Sequence, residues 1–259
     1  MSGSADPAPA AKDVTDDAVL GGRLRLFQPA RGHRAGHDAI LLAACVGPTA
    51  RDVVDLGAGV GSAGLAVAVR LPGARVTLVE IDPASAALAA RNAARPENRL
   101  GDRVAVVEAD VARLGLAAGP PLPAGRGADT VILNPPFNDP ARHRVSPREG
   151  RARAHSAGDD ALELWLRAAD RLLAPAGAVH LIHRPEALPA VLAALDGRFG
   201  ALRLRTVHPR PDAPAVRLLA SAIKGRRTPL ALLPPLVLAG PDGQALPEAE
   251  RLLRGGEGF

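Results

Sequence analysis

Tyrosine is absent from this 259-residue chain, and its other aromatics are one tryptophan, Trp165, and four phenylalanines. With so few rings, an aromatic placed beside a polar motif is a residue to account for. Cys45 is the only cysteine, which excludes an intramolecular disulfide, argues against a metal site built on cysteines, and points to an intracellular home. No apolar run approaches the roughly 20 residues needed to cross a bilayer. The opening MSGSADPAPAAKDVTDD has no apolar core and ends acidic, unlike a signal peptide. A soluble, cytoplasmic protein is therefore expected.

Lysine is scarce as well, at Lys12 and Lys224 alone, so the basic excess of 32 over 27 acids is carried by arginine. A net charge of +5 favours a polyanionic partner through its summed field. A composition rich in Arg, Ala, Gly and Pro gives the same excess without a partner, so position has to decide. The hydrophobic content of 47% is ample for one large core.

Residues 1–17 lack hydrophobic periodicity and read as a disordered tail, leaving 18–259 as a single domain. Arg23, Leu24, Arg25, Leu26 and Phe27 alternate as a strand does, and Asp38 stands where an N-cap would start an apolar helix over 39–46. A hairpin and a helix thus precede the main sheet. Apolar runs at 53–56, 76–81, 104–108, 130–133 and 178–182 then alternate with helical patterns over 62–70, 84–95 and 160–173. That alternation predicts an α/β fold with a parallel sheet covered on both faces. Beyond about residue 202 the pattern becomes two strands around a proline-rich loop, suited to an antiparallel edge.

The segment VVDLGAGVG, residues 53–61, puts an acid and alternating glycines at the end of the first strand of this repeat. Glycines there let the backbone turn tightly and approach a ligand. Gly59, Gly61 and Gly64 also satisfy the dinucleotide pattern G-x-G-x-x-G, with Glu80 about where a ribose-binding acid belongs. Asp55 before Gly57 favours a nucleoside without a phosphate. Glu80 can accept from both ribose hydroxyls and Asp110 from an adenine amine; a strand-end turn or a helix cap is the alternative for each.

The sequence DTVILNPPFND decides between these readings. Asn134, Pro135, Pro136 and Phe137 follow an apolar strand, at the carboxyl edge where ligands of open α/β sheets sit. The exocyclic amine of a base is a weak nucleophile because its lone pair is delocalised into the ring. If the Asn134 amide oxygen and the Pro135 carbonyl both accept from that amine, they favour a pyramidal nitrogen, and Phe137 can stack on the flipped base.

With GGRLRLFQPARGHRAGHDAILLAA, VEIDPASAALAARNA, ILNPPF and VRLLASAIKGRR in view, the chain resembles class I methyltransferases of the Asn-Pro-Pro-Tyr/Phe group. Within it, the bacterial valine-tRNA adenine-N6 methyltransferases are the most similar, over nearly everything from Gly21 onward. The resemblance implies a seven-stranded Rossmann-like sheet, S-adenosylmethionine as methyl donor and RNA, most naturally tRNA beside the anticodon, as acceptor. It implies that Asp55, Gly57, Gly59, Glu80, Asp110 and Asn134 bind cofactor and that Asn134, Pro135 and Phe137 hold the target amine. Gln28, Arg34 and Asp38 fall in the segment that would cover the cofactor. Phe137 stands where adenine-amine enzymes typically have Tyr, and Asn-Pro-Pro-Phe also occurs in ribosomal-RNA guanine-N2 enzymes.

Next to the proposed pocket run Arg142, His143, Arg144, Arg148, Arg151, Arg153 and His155, read as a flexible basic loop for phosphates, with Lys224, Arg226 and Arg227 as a second basic turn. A solvated surface in an arginine-rich protein is the alternative for both. No histidine pair at metal-binding spacing accompanies them, so no metal is expected. Alternative acceptors are a guanine amine of rRNA, a DNA adenine and a protein glutamine amide. A dinucleotide-binding oxidoreductase and a non-catalytic RNA-binding relative are the other classes, and the Asn-Pro-Pro-Phe segment speaks against both.

Overall fold

A computed structural model describes residues 14–30, 36–122, 127–135 and 149–259, without the side chains of 149–160. It opens with a hairpin of β1 (Val14–Val19) and β2 (Leu24–Pro29), a two-stranded antiparallel sheet of its own. Residues 14–17 thus belong to a strand and not to the expected tail. Their acids find partners across the hairpin and beyond it: Asp16 pairs with Arg25 and with the distant Arg95, and Asp17 accepts from Thr15 and Gln28. Composition cannot foresee such partners.

After α1 (His37–Ala44) come β3 (Asp52–Leu56), α2 (Ser62–Arg70), β4 (Arg75–Glu80), α3 (Pro83–Ala93), β5 (Val104–Glu108), β6 (Ala128–Leu133), α4 (Glu149–Leu172) and β7 (Leu173–His183). Then follow α5 (Leu188–Leu195), β8 (Phe199–His208), β9 (Arg217–Lys224), the two-residue strands β10 (Ala231–Leu232) and β11 (Leu236–Val237), and α6 (Pro247–Glu250). The main sheet runs β10-β8-β9-β7-β6-β3-β4-β5, with β11 also on β8. Seven strands carry it, as expected; β10 and β11 are short additions at the β8 edge. Strands β3 to β7 are parallel, while β9 lies antiparallel to both β7 and β8.

Each central strand is buried on both faces, which is why its residues read as unbroken apolar runs. Val53, Val76, Leu78, Ile132 and Ile182 face the core under α1 and α2, whereas Val54, Leu56, Val131, Leu133 and Leu181 face the core under α4 and α5. Asp82 caps α3 by accepting from the Ser85 amide at 2.9 Å, with Pro83 at the first helical position. Between β7 and β9 the buried His180 ring meets the Ser221 hydroxyl at 2.7 Å, and burial pulls its pKa down to about 4. No helix of the described residues is long and apolar enough to cross a membrane.

Candidate active site

Parallel strands point their carboxyl ends to one edge, and that edge gathers most of the described motif residues. Gly57 and Asn134 follow directly on Leu56 of β3 and Leu133 of β6, which are paired in register, so the two sit side by side on neighbouring strands. Asn134 is half-buried and Pro135 buried. Glu80 ends β4 in register with Glu108 of β5, and Asp110 follows two residues later.

The turn after β3 holds Gly57, Gly59 and Gly61 at φ of 64°, 57° and 90°, the left-handed region that costs a side chain roughly 1–2 kcal/mol. Their surroundings differ. A Cβ on Gly57 would run into the Trp165 ring, 2.8 Å from Cζ3 and closer still to Cη2, while one on Gly61 would meet Leu78 at 2.9 Å. Among the described residues, one on Gly59 would have no neighbour within 4 Å, which leaves the free volume a ligand beside the loop requires.

Glu80 is almost fully buried, and its carboxylate is already engaged. Oε1 accepts from the amides of Ile81 and Asp82 at 2.8 and 2.9 Å, and Oε2 accepts from the Gly59 amide at 2.7 Å. Of about four lone-pair positions, one remains for a ligand hydroxyl, so accepting from two requires one bond to be shared. Ile81, beside it, is 61% exposed, an apolar surface on a rim of polar groups that sequence reasoning passed over. Its signal was slight: one apolar residue past the acid, beyond the strand end.

Asp55 lies inside, its Oδ2 accepting from the Gly64 amide of α2 at 2.8 Å. Burial, joined by the Glu80 charge, pushes its carboxyl up to about 7 against the pull of that amide. Its direct role is to tie α2 to β3 behind the glycine turn. Asp110 caps the short turn after β5, accepting from the Ala112 amide at 2.8 Å, and is exposed.

Other expected residues lie apart. Gln28 is buried in β2 and donates to Asp17 at 2.9 Å. Asp38 is no N-cap: Gly36 holds that position, and the Asp38 carboxylate pairs with Arg217 at 2.7 Å. Arg34, Phe137, Arg142, Arg144 and Arg148 lie outside the described residues. Arg151, Arg153 and His155 belong to α4, so from Glu149 onward the expected basic loop is a helix. Lys224 ends β9, which runs antiparallel to β7, and its ammonium group donates to the Asp170 and Leu173 carbonyls. Together with the exposed Arg226 and Arg227 it therefore lies at the amino edge of the sheet, away from Asn134.

A family model described as the methyltransferase small domain matches residues 36–204. A protein of Porphyromonas gingivalis strain W83 named tRNA1(Val) (adenine(37)-N6)-methyltransferase is 32% identical over 193 residues, 72% of this chain and 73% of that one. Its namesake from strain ATCC 33277 is 30% identical over 204 residues, 76% and 77% of the two chains. The crystal structure of Atu636 from Agrobacterium tumefaciens, described as a predicted O-methyltransferase, matches with a TM-score of 0.70 at 35% identity, covering 86% of this chain and 98% of that one. The strand order, the glycine turn and these relatives agree: the chain is a methyltransferase and belongs to the methyltransferase small domain family.

Proposed function

We propose that this enzyme transfers a methyl group from S-adenosylmethionine to the exocyclic N6 amine of an adenine in tRNA, beside the anticodon. The observation that carries this reading is the placement of half-buried Asn134, followed by buried Pro135, level with Gly57 at the carboxyl edge. An amine offers two N–H donors, matching two acceptors, the Asn134 amide oxygen and the Pro135 carbonyl; a hydroxyl offers one. That favours nitrogen over the oxygen acceptor named for the Agrobacterium protein. The names of the Porphyromonas relatives support adenine and tRNA.

The residues fit the cofactor. Open space at Gly59 admits it, Glu80 keeps one acceptor position for a ribose hydroxyl, Ile81 offers an apolar face to the adenine ring, and exposed Asp110 has a second oxygen for its amino group. When bound, S-adenosylmethionine supplies an electrophilic methyl group on a sulfonium centre. Asn134 and Pro135 then orient the amine and draw its hydrogens out of the ring plane, freeing the lone pair. Phe137 is assigned to stack on the base. Catalysis comes from alignment and polarisation, since an amide is no strong base.

RNA contacts are assigned to Arg142, Arg144, Arg148, Arg151 and Arg153, which follow the motif, with Arg226 and Arg227, on the turn that Lys224 anchors, reaching a part of the tRNA remote from the target base. Gln28, Arg34 and Asp38 are assigned to the cover over the cofactor, Gln28 and Asp38 by shaping it. The test is incubation with labelled S-adenosylmethionine and unmodified tRNA, then nucleoside mass spectrometry. N6-methyladenosine is expected; label recovered only as N2-methylguanosine in ribosomal RNA would replace the acceptor.

A further inference from the structure

The glycine turn is fixed from several directions. From β4, the Val79 carbonyl accepts from the Ala58 amide at 2.9 Å and Glu80 accepts from the Gly59 amide at 2.7 Å. Leu78 and Leu65 close in on Gly61 from the α2 side. On the opposite side of the turn lies the benzo edge of Trp165, against Gly57 so closely that no Cβ fits between them.

Trp165 belongs to α4, the helix that follows the Asn-Pro-Pro segment in the chain. Its neighbours Leu162, Leu166 and Ala169, at helical spacing, are buried at 2%, 0% and 0% exposure in the second core. The ring is half-buried, on a helix whose adjacent positions are fixed in the core. Gly57 is where the chain leaves β3, and its left-handed φ directs the backbone toward the open space at Gly59.

We infer that Trp165 is a positioning residue for the cofactor: its indole holds the Gly57 turn in the conformation that leaves Gly59 open, and so registers the cofactor loop against the helix following the acceptor motif. This rests on reading the glycine turn as the S-adenosylmethionine site. If truncating the ring lets the turn populate other conformations nine-tenths of the time, apparent cofactor affinity falls about tenfold while the bound complex reacts normally. A ring that merely filled the core would lower stability without singling out the cofactor.

The test compares Trp165→Phe and Trp165→Ala with the unaltered enzyme, measuring KM for S-adenosylmethionine, KM for tRNA, kcat and Tm. We expect Trp165→Ala to raise the cofactor KM about tenfold with kcat and tRNA KM within about threefold, and Trp165→Phe to restore most of the loss. A lowered Tm with unchanged cofactor KM would overturn the proposal, as would an equal fall in kcat at constant KM. Should Trp165→Ala not fold, the unaltered protein decides. As its only tryptophan touches the turn, saturation with S-adenosylhomocysteine should shift its emission, and calorimetric binding with no shift overturns the positioning role. If calorimetry detects no binding of that ligand to the unaltered protein, the reading of the cofactor site falls, and the role of Trp165 with it.

Discussion

The two halves of the carboxyl edge are built in different ways. Around β3, β4 and β5 the acids already hold backbone amides: Asp55 that of Gly64, Glu80 those of Gly59, Ile81 and Asp82, Asp110 that of Ala112. At β6 a single half-buried amide, Asn134, is presented between a strand and a buried proline. One half is thus assembled by the fold itself, so damage there is expected to cost stability together with binding. In the other half Asn134 is the one polar side chain among the described residues, and under the proposed reading its loss is expected to cost turnover alone.

The sharpest way to break this comparison is Asn134→Ala. We expect kcat to fall on the order of 10²–10³-fold or more, with cofactor affinity measured by calorimetry within about threefold. Equal losses in both would merge the halves into one site. Glu80→Ala should do the reverse, leaving three amides without their carboxylate, lowering stability by about 1–3 kcal/mol in denaturant titration and weakening the cofactor at least tenfold.

Acidity separates the edge from the sheet interior. Asp55 has a folded pKa near 7 against 3.8 for an unperturbed carboxyl, so the folded state holds the extra proton. Its contribution is present below 3.8 and is lost as pH rises through 7. His180 behaves oppositely: with a folded value near 4 against 6.5, it erodes stability as pH falls from 6.5 to 4. Asp55→Asn should therefore gain on the parent protein between pH 4 and 7.5, and His180→Asn should flatten the loss on acidification, both read from urea midpoints. The smallest effect is expected at the amino edge, where Arg226→Ala with Arg227→Ala should raise the tRNA KM by about two- to fivefold and reduce its salt dependence, leaving kcat unchanged.

Much of the frame was legible because its signals are local. The period of α2 marked Ser62–Arg70, and the pattern over 84–95 marked the body of α3. Wherever the deciding contact was distant, the reading slipped. Asp38 looked like a cap because its partner, Arg217, is 179 residues away. The start of α4 was placed late because residues 149–159, rich in Arg, Ala and Gly, carry no apolar stripe to announce a helix. For the site, the order of acids and glycines was readable, but not which acids the backbone already occupies, nor that Trp165 stands against Gly57.

Asn92 has a consequence of another kind. Fully buried, its side-chain amide exchanges hydrogen bonds with both the amide and the carbonyl of Phe27 in β2 and donates to the Val60 carbonyl in the glycine turn. Among the described residues the hairpin shares no ladder with the main sheet, yet Asn92 fastens it to the loop. Opening of the turn should therefore be audible at a distance, as faster hydrogen–deuterium exchange of the Phe27 amide, and a ligand that stills the loop should silence it.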